Sequence, residues 1–188
     1  IFLLFFLLNT VLILLFMSKT LQSIRIIKDF PKKGIAFYDI STLLSNPKEF
    51  NKVVNKMASE VKKIKANTIV GIDSRGFIFA SAVAYKLKMK LVMIRKKGKL
   101  PGNTHLISYN LEYGSNHLEI QKDMIFKNDK VAIIDDIFAT SGTMKASIKL
   151  VKKNYAKIKG VIVLLELDFL KGRSKFKEKL ISLENVNI

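Results

Sequence analysis

Two adjacent carboxylates, Asp135 and Asp136, follow an apolar run in the stretch VAIIDDIFATSGT, residues 131–143. Neighbouring negative charges repel each other, and an apolar strand stabilises neither of them. One interpretation is a strand that ends in a solvated turn. The other is a binding site in which both carboxylates hold a ligand.

A small, hydroxyl-rich turn follows the carboxylates and predicts an anion-binding loop. The turn consists of Ala139, Thr140, Ser141, Gly142 and Thr143. Small residues at the start of a helix let backbone N–H groups approach an anion, and the helix dipole favours negative charge there. The loop is not a Walker A loop, because no lysine follows its glycine, and it lacks the three glycines of a dinucleotide fingerprint. Since carboxylates only accept hydrogen bonds, two of them before such a loop suit the two adjacent hydroxyls of a ribose 5-phosphate.

Apolar runs from residue 17 onward alternate between helical and strand spacing. A helix is predicted to begin at Asn46-Pro47, with Asn46 as its N-cap, and further helices are predicted over 76–88 and 142–154. Strands are predicted over 68–73, 91–95, 131–135 and 160–166. This alternation predicts an α/β fold with a mostly parallel, twisted sheet that is flanked by helices.

Three of the predicted strands end in charged or polar groups. They are Asp73-Ser74-Arg75, Arg95-Lys96-Lys97 and Asp135-Asp136. In a parallel sheet all three groups meet at the carboxyl edge, where ligands bind. Residues 96–110 show no clear periodicity and contain two glycines and a proline, so they are predicted to form a mobile lid.

Composition narrows the class of protein. A chain of 188 residues fits one domain, predicted over 17–188. The net charge of +18 is spread along the chain with no basic stripe between aromatics, so no nucleic-acid partner is expected. Cysteine is absent, which excludes disulfides and thiolate sites. Only four of the 33 basic residues are arginine, so each arginine indicates a place where a planar, bidentate guanidinium is needed.

Residues 1–16 are almost wholly apolar. They sit at the short edge of a membrane span, about 17 to 25 residues, and lack the charged start and cleavage site of a signal peptide. Met17 and the residues after it look like an ordinary start. We expect residues 1–16 to be an upstream extension of the reading frame. The protein itself is then expected to be cytoplasmic and to have no stable membrane association. The alternative is that residues 1–16 form a single-span anchor.

The stretch VAIIDDIFATSGT resembles the phosphoribosyl-diphosphate signature of the type I phosphoribosyltransferases. Further stretches narrow the resemblance to the adenine phosphoribosyltransferase family, in order and at natural spacing over most of 21–173. They are DFPKKGIAFYDIS (29–41), GIDSRGFIFA (71–80), IRKKGKLPG (94–102), YNLEYG (109–114), LEIQKD (118–123) and LLELDFLKGR (164–173).

The resemblance implies a type I fold with a small hood from the N-terminal segment, and a homodimer. It implies transfer of ribose 5-phosphate from 5-phospho-α-D-ribose 1-diphosphate to adenine, which gives AMP and diphosphate with Mg²⁺. The metal would be held through substrate and water near Asp135 and Asp136, with no direct protein ligand set.

The resemblance also implies roles for particular residues. Arg75, Arg95, Lys96 and Lys99 would meet the diphosphate, with Arg75 and Lys99 as catalytic groups. Glu112 would exchange a proton with the purine ring, and Tyr113 would pack over the ribose. The adenine pocket maps to backbone groups near Ala36 and Tyr38, with Phe37 and Leu167 on the two faces of the ring.

The sequence departs from the family at a few positions. Ser141 replaces the usual glycine, and if φ is positive there, serine costs about 1 kcal/mol or more. Tyr38, Lys28 and Ala80 replace a common arginine, proline and glycine respectively. Two alternatives remain open: a phosphoribosyltransferase for another purine, and a non-catalytic, ligand-sensing regulator with the same fold.

Overall fold

A computed structural model describes residues 18–110 and 115–187 of the chain. The chain divides into two compact units, one ending at Val53 and the other beginning at Val54. No helix in these described ranges is long and apolar enough to cross a membrane. The hydrophobic leader, residues 1–16, lies outside them, so its interpretation stays a prediction.

The first unit is built from short helices and a two-stranded antiparallel ribbon. Its elements are α1 (Lys19–Gln22), β1 (Arg25–Lys28), β2 (Ala36–Asp39), α2 (Ser41–Leu44) and the start of α3 (Pro47–Lys63). Ser18 caps α1 by accepting a hydrogen bond from the Leu21 amide at 3.1 Å. Asn46 accepts one from the Glu49 amide at 3.3 Å, which confirms it as the N-cap of α3.

The second unit contains a seven-stranded sheet with the order β5-β6-β4-β3-β7-β8-β9. The strands are β3 (Thr68–Ile72), β4 (Lys90–Lys96), β5 (Thr104–Asn110), β6 (Ser115–Gln121), β7 (Lys130–Phe138), β8 (Lys157–Leu167) and β9 (Leu180–Val186). Strands β4, β3, β7, β8 and β9 are parallel, and β5 and β6 form an antiparallel hairpin at one edge. The predicted fold class, a mostly parallel sheet with flanking helices, is confirmed.

Two helices of this unit begin at the carboxyl edge of the sheet. They are α4 (Gly76–Leu87), which follows β3, and α5 (Gly142–Lys153), which follows β7. Both occupy the places that the sequence predicts. Central strands β3 and β7 are buried almost throughout, since a parallel strand covered on both faces needs a continuous apolar run. The core therefore fixes where these strands end and where the helices start.

Part of the segment predicted as a mobile lid is a strand. Residues 104–110 form β5 and pair with β6 in full register, from Thr104 opposite Gln121 to Asn110 opposite Ser115. The prediction of an irregular segment over 96–110 was therefore wrong for its second half. Strand β7 also continues past the two aspartates to Phe138 and does not end at them.

Candidate active site

Asp135 and Asp136 lie in the last part of β7, and each carboxylate has a distinct neighbour. The Nε atom of Arg75 lies 2.7 Å from Oδ2 of Asp136. Oδ1 of Asp135 accepts a hydrogen bond from the Asp136 amide at 2.9 Å. Asp136 is buried, whereas Asp135 is half-buried and faces the pocket that the following loop encloses. Of the two, Asp135 is therefore the carboxylate that a ligand reaches first.

Both carboxylates are harder to ionise than ordinary aspartates. Burial, followed by the negative charge of Asp136, raises the pKa of Asp135 well above its usual range. Burial also raises the pKa of Asp136, although the Arg75 guanidinium opposes that rise. A cation or a hydrogen-bond donor beside the two carboxyl groups would therefore stabilise their charged forms.

Gly76, the first residue of α4, allows that helix to start directly against β7. A Cβ atom at this position would lie 2.5 Å from Oδ1 of Asp135 and 3.1 Å from the Ile134 carbonyl oxygen. No side chain fits in that space. Glycine at the start of α4 therefore lets Arg75, the residue before it, reach Asp136.

The loop between β7 and α5 encloses a pocket of about 100 Å³. Residues 139–143 line it together with Asp135 and the end of β7. The backbone N–H groups in the first turn of α5 have no acceptor within the helix, so this end of the pocket suits an anion. Asp135 therefore lines one side of this pocket and the N-terminus of α5 lines the other.

Ser141, which replaces the glycine usual in the family, adopts the left-handed backbone conformation. Its φ is 72° and its ψ is −7°, immediately before the first helical residue. A non-glycine residue in this region is strained by about 1 kcal/mol or more. The loop accepts this strain at Ser141, the residue that directly precedes α5 and lines the pocket.

Arg95 and Lys99 lie together at the neighbouring strand end. The Nε atom of Arg95 donates to Oδ2 of Asp73 at 3.1 Å, and its Nη1 donates to the Lys99 carbonyl oxygen at 3.1 Å. Oε1 of Glu119 accepts from the amides of Lys99 and Leu100, both at 2.9 Å. The backbone at Lys99 is therefore held on both sides, while its ammonium group remains exposed to solvent.

The remaining predicted residues lie in different parts of the chain. In the first unit, Ala36 is exposed, Tyr38 is buried, and the Phe37 ring packs edge-on against Phe30 with centroids 5.1 Å apart. In the second unit, Leu167 is buried at the end of β8 and Lys96 is exposed at the end of β4. Glu112 and Tyr113 lie outside the described residues, between β5 and β6. Their roles, like the adenine pocket, stay predictions.

Two residues of this site were missed by the sequence reasoning. Glu119 holds the Lys99 backbone, and the hydroxyl of Tyr109 lies 3.2 Å from Oγ1 of Thr143 in the anion-binding loop. Both lie in the family-like stretches YNLEYG and LEIQKD, but each acts through a contact with a residue far away in the sequence, which a local pattern does not show. Glu119 did carry one signal, a charged residue between apolar neighbours in a strand-like stretch.

Comparison with known proteins identifies the class. The family model of the phosphoribosyl transferase domain matches residues 39–185. The chain belongs to the phosphoribosyltransferase family, and its enzymes are pentosyltransferases.

The similar proteins include adenine phosphoribosyltransferases from several organisms. That of Mycoplasma mobile is 55% identical over 157 residues, which cover 84% of this chain and 91% of the relative. A crystal structure from Thermoanaerobacter pseudethanolicus has a TM-score of 0.85 at 42% identity and covers 88% of this chain and 96% of its own. One from Giardia lamblia, complexed with 9-deazaadenine, has a TM-score of 0.85 at 36% identity and covers 92% and 99%. The resemblance to this family drawn from the sequence is thereby confirmed.

Proposed function

We propose that the protein transfers ribose 5-phosphate from 5-phospho-α-D-ribose 1-diphosphate to adenine, with release of AMP and diphosphate. The observation that carries this proposal is the pair Asp135-Asp136, placed directly before an anion-sized pocket at the N-terminus of α5. The carboxylate of Asp135 and the loop line one pocket, which matches a ring hydroxyl and the 5-phosphate of the sugar, and Asp136 is the neighbouring acceptor for the second hydroxyl. The names of the similar proteins support adenine as the base.

In this reaction the chain must hold both substrates and neutralise the leaving group. N9 of adenine attacks C1 of the ribose while the bond from C1 to the diphosphate oxygen breaks, and the diphosphate leaves with the electron pair. Arg95, Lys96 and Lys99 cluster at the end of β4, where positive charge would stabilise that leaving group. Arg75 at the start of α4 adds a further cation beside the carboxylates. Holding the sugar by its phosphate and hydroxyls removes most of the entropic cost of alignment.

Mg²⁺ fits this site only with the substrate present. Among residues 18–110 and 115–187, no three His, Cys, Asp or Glu side chains group closely enough to hold a metal ion. Mg²⁺ prefers oxygen ligands and keeps several waters, so substrate oxygens and water would complete its coordination near Asp135 and Asp136. When bound, the ion supplies positive charge to the diphosphate.

The base side of the site completes the proposal. Phe37 and Leu167 would lie on the two faces of adenine, with backbone groups near Ala36 and Tyr38 reading its edge. Glu112 would take the proton that the purine loses as the new bond forms, and Tyr113 would cover the ribose. We also infer a homodimer and a cytoplasmic protein, in line with the resemblance.

A direct assay tests the proposal. The full chain is incubated with 5-phospho-α-D-ribose 1-diphosphate and with adenine, hypoxanthine, guanine or xanthine in turn, with and without Mg²⁺, and products are separated by chromatography. We expect AMP from adenine, Mg²⁺-dependence, and little product from the other bases. Turnover of another purine instead would assign the chain to that base. Binding of the activated ribose without turnover of any base would favour the ligand-sensing regulator.

A further inference from the structure

Arg173, one of the two arginines to which the proposed reaction gives no role, forms a bidentate ion pair with Glu166. Its Nε donates to Oε1 of Glu166 at 2.7 Å, and its Nη2 donates to Oε2. The hydroxyl of Ser182 on β9 donates to the same Oε2 at 2.8 Å. Only 1% of the Glu166 surface is exposed, so a buried carboxylate at the end of β8 is matched by a planar guanidinium.

This ion pair fixes the chain segment between β8 and β9. The segment contains two short 3₁₀ turns, Asp168–Leu170 and Arg173–Lys175, and has little regular structure of its own. Two parallel hydrogen bonds fix the orientation of the guanidinium, whereas a lysine would offer one point charge on a flexible stem. The pair therefore sets the position of the residue next to Arg173, which is Gly172.

Gly172 lies directly against the start of the anion-binding loop. A Cβ atom on Gly172 would lie 1.9 Å from the Ala139 carbonyl oxygen and 3.0 Å from Cε1 of Phe138. Real Cβ atoms do not approach backbone oxygen so closely, so the segment and the loop touch backbone to backbone. Any shift of the segment must move Ala139 or open a gap beside it.

We propose that Glu166 and Arg173 are positioning residues for phosphate binding, because together they hold Gly172 against Ala139 and so fix the entrance of the anion-binding loop. This inference rests on the proposed function, since it takes the 5-phosphate as the ligand of that loop. Neither side chain touches the ligand. Their effect passes through the backbone of the segment that joins β8 to β9.

The ionisation of Glu166 agrees with this role. Burial alone would raise the pKa of Glu166, but the hydrogen bonds from Arg173 and Ser182 outweigh burial and lower it. The carboxylate is thus charged at neutral pH, and the bidentate pair is intact where the enzyme works.

Arg173→Lys is the first test, because it keeps the charge and removes the planar fork. The dissociation constant of ribose 5-phosphate is measured by calorimetry on the full chain, together with kcat, KM for each substrate and Tm. We expect a dissociation constant about tenfold higher, since displacement of a binding group by about 1 Å can cost up to a hundredfold. KM for the activated ribose should rise with it, and KM for adenine should change less. Loss of folded protein alone would lower kcat and leave both constants unchanged.

Glu166→Gln has a matched control in Glu184→Gln. Glu184 lies on the adjacent strand β9, has a side chain that is 10% exposed, and forms its ion pair at 3.8 Å with Lys56, which lies outside the 168–175 segment. We expect Glu166→Gln to weaken ribose 5-phosphate binding as Arg173→Lys does, and Glu184→Gln to bind within about twofold of wild type. Equal losses in both would assign the effect to general destabilisation and overturn the inference.

Gly172→Ala tests the same contact with the ion pair left in place. The added methyl group should displace the start of the loop and raise the ribose 5-phosphate dissociation constant at least as much as Arg173→Lys. If folded Arg173→Lys or Gly172→Ala binds ribose 5-phosphate with wild-type affinity, the inference is overturned. If Arg173→Lys does not fold, Gly172→Ala alone decides the question. Wild-type protein that makes no AMP would instead contradict the proposed function, which is a separate result.

Discussion

At the scale of single residues, the site contains groups that suit ligand binding but lower the stability of the folded protein. Asp135 illustrates this, because burial and the charge of Asp136 raise its pKa. A carboxyl group whose pKa is higher in the folded state favours folding when it is protonated. Its contribution is present at low pH and is lost as pH rises through the raised pKa. Near neutral pH that contribution is reduced, so Asp135 there disfavours the folded protein.

Asp135→Asn should consequently stabilise the protein while abolishing most of its turnover. We expect Tm at pH 7.5 to rise by about 2 to 4 °C, which corresponds to about 1 kcal/mol in a chain of this size. The difference from wild type should shrink as pH falls, because the wild-type carboxyl group then becomes neutral too. Thermal unfolding across pH measures this. Asp123→Asn removes the same charge from an exposed turn and controls for net charge. A lower Tm for Asp135→Asn at every pH would contradict the argument.

Ser141→Gly should relieve the strain of the left-handed residue in the anion-binding loop. Glycine adopts a φ of 72° without a Cβ clash, but it also gains freedom in the unfolded chain. The net expectation is a free energy of unfolding higher by about 0.5 to 1 kcal/mol, together with tighter binding of ribose 5-phosphate. Denaturant unfolding and calorimetry test both parts. Weaker phosphate binding in the glycine variant would mean that the serine side chain itself contributes to the ligand contact.

Glu112→Gln should depress turnover and leave binding of the activated ribose nearly intact. Adenine gains positive character as N9 attacks C1, and a carboxylate can stabilise that charge or accept the proton. Glutamine keeps the shape but does neither, so kcat and kcat/KM should fall together by about 10²- to 10⁴-fold. Steady-state kinetics with both substrates varied make the measurement. If only KM for adenine rises, Glu112 is a binding group and not a catalytic one.

At the scale of elements, the β5–β6 hairpin holds the loop that carries Lys99. Glu119 on β6 accepts two amide hydrogen bonds from that loop and one from the Thr104 hydroxyl at 3.4 Å. A buried carboxylate that accepts several donors is a firm anchor, and its loss leaves those amides without a partner. The loop is thus ordered by a strand that the sequence analysis did not predict.

Glu119→Ala should release this loop. We expect faster hydrogen exchange at the Lys99 and Leu100 amides. We also expect KM for the activated ribose to rise about tenfold, because leaving a buried group unpaired costs about 1 to 3 kcal/mol. Glu60→Ala removes a carboxylate that is paired with Lys63 on the surface of α3 and should change neither quantity. Unchanged exchange in Glu119→Ala would show that the loop is held by other contacts.

The sequence predicted four of the five parallel strands of the seven-stranded sheet and missed β9, β5 and β6 for a physical reason. Strands β3, β7 and β8 are buried, so their apolar runs are continuous and easily read, and β4 has a short apolar run although its side chains alternate in burial. Strands β5 and β6 form an edge hairpin with polar residues along it, and β9 is only half-buried at the other edge. The carboxylates lie in a buried strand, and the loop and Arg75 follow buried strands closely. Glu119 acts on a loop 20 residues earlier in the chain, and the Glu166–Arg173 pair spans seven residues at a spacing that is neither helical nor strand-like.

At the scale of the whole molecule, one face of the sheet carries an apolar surface that water would not favour. Strand β4 lies inside the sheet, between β6 and β3, and its side chains alternate in burial. Val92 and Ile94 point into the core, whereas Leu91 and Met93 remain partly exposed on the other face. Ile78 on α4 is exposed as well. Parallel sheets are normally covered on both faces. In the predicted homodimer, the second chain would cover this face.

Met93→Glu should therefore weaken the predicted dimer. A charge in the centre of an apolar interface must be desolvated without a partner, which costs several kcal/mol and shifts the equilibrium toward monomer. We expect sedimentation of the wild-type chain at micromolar concentration to give a dimer, and of the variant to give mostly monomer with reduced turnover. Met124→Glu places the same charge on a methionine of nearly equal exposure, 40% against 42%, in the turn before β7, and should remain dimeric. A wild-type chain that is a fully active monomer would contradict the prediction, and a dimer unaffected by Met93→Glu would place the interface elsewhere.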